Sequence, residues 1–135
     1  MKRVVTLMAV VFVVLVVMVG CSGPGIPQGS VLRAEYQGLF KGKLSWGTIT
    51  VMVYDAPDGS RPVSGKLDPE SGDARGHFYG QMKGSLMEGR LEAGLGELSG
   101  DITGEMSKDG QTMSGTFNLA VEKNSPPGTW NAKKK

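Results

Sequence analysis

Residues His77 to Ala93, HFYGQMKGSLMEGRLEA, leave little freedom in how they fold. With Gly84-Ser85 as the two central residues of a tight turn, Met82 faces Met87, Gly80 faces Gly89 and Phe78 faces Leu91 on one side. Lys83 meets Leu86, Gln81 meets Glu88, Tyr79 meets Arg90 and His77 meets Glu92 on the other. Two-residue loops that open with Gly fit type I′ or II′ turns, whose twist matches the flanking strands, and directly opposed residues share a face. The stretch therefore predicts an antiparallel hairpin with one apolar, glycine-rich face and one mostly polar face.

The same arrangement returns in Leu98 to Val121. Around Asp109-Gly110, a favoured type I′ pair, Met106 meets Met113, Gly104 meets Gly115 and Ile102 meets Phe117. Both hairpins read apolar-x-Gly-x-Met, turn, Met-x-Gly-x-apolar, an internal repeat in which turn chemistry, face parity and glycines coincide. Between the hairpins two registers compete. Pairing Gly89 with Gly100 aligns glycines but sets Glu92 against Glu97, whereas a shifted pairing puts Arg90 opposite Asp101. Like charges directly across a ladder disfavour the first.

The rest of the chain from Ala34 reads as strand, turn, strand. Tyr36, Gly38, Phe40, Gly42 and Leu44 share one parity, and a short turn near Trp46-Gly47 leads to Ile49, Val51 and Val53. Asp55 to Ser60 is a loop by its Pro, Asp and Gly content. Val63, Gly65 and Leu67 form a short strand, paired as Gly65 to Gly76 and Val63 to Phe78, and Asp68 to Asp73 is a second loop. Gly94-Leu95-Gly96 turns into the second hairpin, Glu122 to Pro127 is the last loop, and Gly128 to Ala132 is a closing strand. No segment after Cys21 carries a useful 3.6-residue apolar period.

Eight short antiparallel strands with one apolar face must bury it, and closure into an up-and-down barrel does so while removing open edges. The expected fold is all-β, an antiparallel barrel of about eight strands preceded by a signal helix and a flexible linker. Inward glycines make room for Phe40, Phe78, Phe117 and Trp130, and methionines fill space near the tight turns. These aromatics, with Tyr36 near a barrel mouth, form either a plain core or the lining of a cavity for a small apolar ligand. An inverted, transmembrane barrel would enclose Lys83, Glu88, Arg90, Glu92, Glu97, Asp101 and Glu105 in a lumen that side chains already fill, and it lacks aromatic girdles.

At the other extreme of the chain, Met1-Lys2-Arg3 is basic and Val4 to Val19 is an apolar run broken by Thr6, short for a membrane-spanning helix. Gly20-Cys21 and the helix-breaking Ser22-Gly23-Pro24-Gly25 follow. Met18-Val19-Gly20-Cys21 resembles the lipobox of bacterial lipoproteins, with methionine where that family usually has leucine. The resemblance implies cleavage before Cys21 and a covalent lipid, a diacylglyceryl group, on its thiol. An uncleaved signal anchor with an incidental cysteine is the alternative, and either way the domain is exported and membrane-tethered. Ser22 stands where an aspartate usually signals inner-membrane retention in Gram-negative lipoproteins, so the resemblance implies the periplasmic face of the outer membrane in such a host.

Residues 1–20 are thus expected to be the signal peptide, 21–33 a Gly/Pro/Ser linker and 34–135 the barrel. Cys21 is the only cysteine, so no intramolecular disulfide forms and no thiol is left for catalysis or zinc. Losing Lys2 and Arg3 brings the 15 basic residues level with the 13 acidic ones. Without basic stripes or aromatic platforms, nucleic-acid binding is not expected. Lys133, Lys134 and Lys135 read as a solvated basic tail or as a contact to anionic head groups. The glycine rhythm and the closing Gly128-Thr129-Trp130-x-Ala132-x-Lys134 are similar to small glycine-rich, lipocalin-like (calycin-like) bacterial barrels. Gly-x-apolar-x-Gly spacing is also similar to the parallel β-helix of bactofilins, but the two hairpin turns argue against that fold.

Chemistry-bearing groups are sparse. His77, the only histidine, is expected outside, opposite Glu92, with no nucleophile motif near it. Glu88, Glu92, Glu97, Asp101 and Glu105 cluster on the convex polar face, and the acidic loops Asp55/Asp58 and Asp68/Glu70/Asp73 match no EF-hand. No phosphate-cradling loop, zinc spacing or triad signature is present. The sequence predicts no enzyme, no cofactor beyond the lipid on Cys21 and no metal site. It predicts a membrane-anchored lipoprotein presenting a small barrel in the cell envelope, as a binding module for a small apolar ligand or a protein partner. The alternative is a structural, interaction or inhibitor lipoprotein with a filled core, working through its outer surface.

Overall fold

A computed structural model of the chain describes residues 26–43, 45–71, 75–93, 98–119 and 127–135. Its strands are β1 (Val31–Lys41), β2 (Trp46–Asp55), β3 (Arg61–Ser71), β4 (Gly76–Lys83), β5 (Leu86–Ala93), β6 (Leu98–Met106), β7 (Thr112–Leu119) and β8 (Gly128–Lys134). Each pairs antiparallel with the next, and β8 returns to β1, closing the barrel without an open edge. The apolar parity faces inward: Phe78, Leu91, Ile102, Ile49, Val51 and Val63 are all fully buried. This is neither an inverted barrel nor a parallel β-helix.

Both hairpins form in the expected register, Phe78 to Leu91 and Met82 to Met87 in β4–β5, Ile102 to Phe117 and Met106 to Met113 in β6–β7. Gly84 has φ +65°, the left-handed value the first central position of an I′ or II′ turn requires. Between the hairpins the chain adopts the shifted register, with Arg90 opposite Asp101 and Glu92 opposite Ser99, the option that avoids like charges directly across the ladder.

Several expectations are corrected. Asp109-Gly110 is not a two-residue turn: Ser107 N donates to Thr112 O (2.9 Å), leaving a four-residue connection in which Gly110 N donates to Ser107 O (2.9 Å). The Asp109 side chain favours that wider turn by accepting from Ser107 Oγ and Gln111 N. Trp46 and Gly47 belong to β2, and the chain reverses earlier, where Gly42 N donates to Ser45 O (2.7 Å). β3 runs on through Asp68 and Pro69 to Ser71, because the start of β2 needs a partner and ladder pairing overrides the local turn chemistry. The β3–β4 register is displaced from the expected one: Gly65 faces Phe78 and Leu67 faces Gly76, which lays the Phe78 ring over a residue without a side chain.

The boundaries shift as well. β1 takes in Val31 to Arg33, which the sequence reading assigns to the linker. The C-terminal lysines are no loose tail. Lys133 and Lys134 are strand residues, Lys134 N donates to Gln111 O (2.8 Å), and Lys135 N donates to Glu35 O (2.9 Å). The Gly94-Leu95-Gly96 turn, the Glu122 to Pro126 part of the last loop, Leu44, Asp73 and everything before Ile26, including Cys21, lie outside the described residues.

Candidate functional site

The residues expected to line a cavity come together, as core. Tyr36, Phe40, Phe78, Phe117 and Trp130 are each at most 2% exposed. The Phe40 and Phe117 rings meet edge to face at 5.9 Å and 79°, a favourable aromatic geometry. A Cβ at Gly65 would strike the Phe78 ring, one at Gly128 the Phe117 ring, and one at Gly104 would lie 2.5 Å from Trp130 Cζ2. The volume these three glycines leave is thus taken up by aromatic rings, while at Gly38, Gly80, Gly100 and Gly115 the backbone of the neighbouring strand fills it. The two polar aromatics are committed too: Trp130 Nε1 donates to Thr103 O (3.0 Å) and the Tyr36 hydroxyl donates to Gly110 O (2.7 Å). Burial pushes the Tyr36 phenol above the ordinary tyrosine range, opposed by the nearby Arg33 charge and reinforced by Asp109.

The outward titratable groups form individual surface contacts. His77 Nε2 stands 3.8 Å from Glu92 Oε1, both side chains about half exposed, and the imidazole packs edge to face on Tyr79 at 5.4 Å. Lys83 approaches Glu88 (3.6 Å), and Asp68 lies between Lys66 (3.6 Å) and Arg75 (3.1 Å). Asp58 accepts from the hydroxyl and amide of Ser60, which holds its carboxyl below the ordinary range. Glu88, Glu92, Asp101 and Glu105 are exposed along the wall. Among the described residues, no group of three or more His, Cys, Asp or Glu is placed to hold a metal ion.

One feature of the outer wall went unread in the sequence. A cleft of about 590 Å³ lies between the segment 26–30 and the wall of β2, β3 and β4, within the range that small ligands occupy. Met52, Tyr54, His77 and Tyr79 supply its apolar and aromatic lining, and Ser64, 8% exposed, is deeply set in it. Ser64 sits opposite both Met52 and Tyr79 across its two ladders, so a small residue is flanked by two large ones. The Ser30 hydroxyl, on the rim segment, is buried without a hydrogen-bond partner. No protein family matches this chain, nor does any curated protein or solved structure.

A second outer cleft, about 480 Å³, runs beside Leu39 and Trp46, 58% and 50% exposed. The signal for both clefts was in the sequence: Leu39, Trp46, Met52, Tyr54 and Tyr79 fall on the polar parity, where apolar bodies meet water. A third cleft, about 230 Å³, opens at the barrel mouth above Tyr36, where the sequence places that residue. The arrangement leaves apolar and aromatic side chains open to solvent on the outer wall. Among the described residues, no hydrogen bond joins His77 to a hydroxyl that it could activate as a nucleophile.

Proposed function

We propose that the protein is a lipid-anchored lipoprotein of the cell envelope whose barrel is a filled, non-catalytic binding module working through its outer wall. The observation that carries this reading is the occupied interior. Gly65, Gly104 and Gly128 are covered by the rings of Phe78, Trp130 and Phe117, so an apolar ligand in the barrel would have to displace core aromatics. The Met52, Tyr54, Tyr79 and His77 cleft is the better seat for a ligand or protein partner, since aromatic side chains give large contact area with few rotamers.

The lipobox resemblance at Met18 to Cys21 supports the anchor. Two or three acyl chains on Cys21 would hold stably without a spanning helix, and Ser22 points to the periplasmic face of the outer membrane in a Gram-negative host. The closed eight-stranded barrel with a Gly-Thr-Trp closing strand accords with the lipocalin-like resemblance, here with its interior filled.

The test is titration of residues 22–135 with N-phenyl-1-naphthylamine, an apolar dye that brightens in hydrophobic cavities. The expected result is no saturable enhancement that depends on the interior. A saturable one, abolished by Phe78→Trp or Phe117→Trp but kept in Tyr79→Ala, would place the ligand inside and overturn the reading.

A further inference from the structure

Because the strands run up and down and are even in number, β1 begins and β8 finishes at one end of the barrel, beside the turns 84–85 and 107–111. The mouth at that end holds the 230 Å³ cleft, and three strands bring a cation to it: Arg33 from β1, Arg61 from β3 and Lys134 from β8. Arg61 and Lys134 lie on the inward parity, in step with Val63 and Ala132, and Lys134 is paired directly with Tyr36. Arg33 occupies a β-bulge: Leu32 pairs with Tyr54 and Ala34 with Val53, so the extra residue is re-aimed, as bulges do.

Two carboxylates face these cations. Asp55 is shared, 2.9 Å from Arg33 Nη1 and 3.9 Å from Arg61 Nε. Asp109 Oδ1 is occupied by Ser107 Oγ (2.7 Å) and Gln111 N (3.1 Å). Among the described residues no carboxylate lies within ion-pair distance of Lys134. The cleft's own lining thus carries three cationic side chains and one carboxylate, with Asp55 beside it engaged by both arginines. The floor is fixed, since the almost fully buried Tyr36 donates its proton to Gly110 O.

We propose that this mouth is a binding site for a phosphate group, as a monoester or diester. Guanidinium forks and an ammonium arriving from separate strands suit the several oxygens of a phosphate, and such contacts are charge-assisted. The cleft has room for more than the bare phosphate, so the group arrives attached to a small polar body such as glycerol. Two sources share this chemistry, an anionic lipid head group and a free phosphorylated small molecule. The lipid source rests on the anchored reading above, under which the lipid on Cys21 keeps the barrel close to a bilayer.

The test uses isotope-labelled residues 22–135, unacylated, since every strand lies within 31–134. One arm is titration with glycerol 1-phosphate. The other is addition of phosphatidylcholine vesicles with and without phosphatidylglycerol. The expected result is a saturable change at the amides of Tyr36, Gly110 and Lys134 together. Neutralising one charge, as Lys134→Gln or Arg61→Gln, weakens it about fivefold, while Arg75→Gln at the opposite end leaves it unchanged. A response to glycerol 1-phosphate assigns a free ligand, and one confined to phosphatidylglycerol vesicles assigns the lipid. No saturable change in either arm, or equal weakening by Arg75→Gln and Lys134→Gln, overturns the site. Arg61 also approaches Asp55, so Lys134→Gln decides if Arg61→Gln lowers stability. The protein here carries no lipid, so failure leaves acylation at Cys21 to its own test.

Discussion

Gly104→Ala is the sharpest probe of a filled interior. The added Cβ would lie 2.5 Å from Cζ2 and 2.9 Å from Cη2 of Trp130, well inside contact distance, so the indole must move. Moving it strains the 3.0 Å bond from Trp130 Nε1 to Thr103 O. Overpacking of this kind costs about 1–3 kcal/mol. Losing a buried hydrogen bond adds about 1 kcal/mol. The lower entropy of the unfolded alanine chain returns roughly 0.4–1 kcal/mol. A net loss of about 2 kcal/mol should lower Tm by roughly 10 °C in a domain of this size. The assay is thermal and urea unfolding followed by near-ultraviolet circular dichroism, repeated in a Trp130→Phe background. Phenylalanine lacks the ring carbons that clash, so there the cost of Gly104→Ala should shrink by more than about 1 kcal/mol. Equal cost in both backgrounds, or an unchanged Tm, would refute the idea that this glycine exists to seat the indole.

Arg90→Glu sets a carboxylate opposite Asp101 and should cost about 0.5–1 kcal/mol in urea unfolding, with Asp101→Arg restoring it. Tyr36→Phe should cost about 1 kcal/mol through the lost bond to Gly110 O. Because burial raises the Tyr36 phenol in the folded state, its stabilisation is full below the ordinary value of 10 and lost as pH rises through the folded value. Above pH 10 the wild-type Tm should therefore fall more steeply than that of Tyr36→Phe. The Asp109 carboxyl is held low by Ser107 and Gln111 N, so the amide signal of Gln111 should broaden only as pH drops below the ordinary carboxylate range. In bacteria, the full chain should incorporate an alkyne-palmitate label that Cys21→Ser abolishes.

Period-two alternation and paired glycines were enough to place both hairpins, because a one-residue slip would turn Phe78, Leu91, Ile102 and Phe117 to water, whereas between β5 and β6 two registers of the same parity competed and glycine pairing pointed to the one the chain does not adopt. Turn chemistry misled where the ladder outweighed it. Asp68-Pro69-Glu70-Ser71 reads as a loop yet pairs with the start of β2, and Trp46-Gly47 reads as a turn yet opens that strand. The Asp109 side chain widened a turn that its dipeptide would close in two residues. The candidate site was half legible. Tyr36 was placed at a mouth, but the cations around it depend on a bulge at Arg33 and on closure of β8 against β1, and no local pattern reports either. The outer cleft was visible only as Met52, Tyr54 and Tyr79 on the wrong parity, which a single strand gives no reason to join.

The filled barrel is proposed to bind through its outer wall. Native mass spectrometry of residues 22–135, incubated with an envelope extract of the source organism, tests it most directly. The prediction is that any apolar adduct held is lost in Tyr54→Ala/Tyr79→Ala and unaffected by Phe117→Trp. A reproducible added mass of small-molecule size that survives loss of both tyrosines and disappears in Phe117→Trp would contradict it.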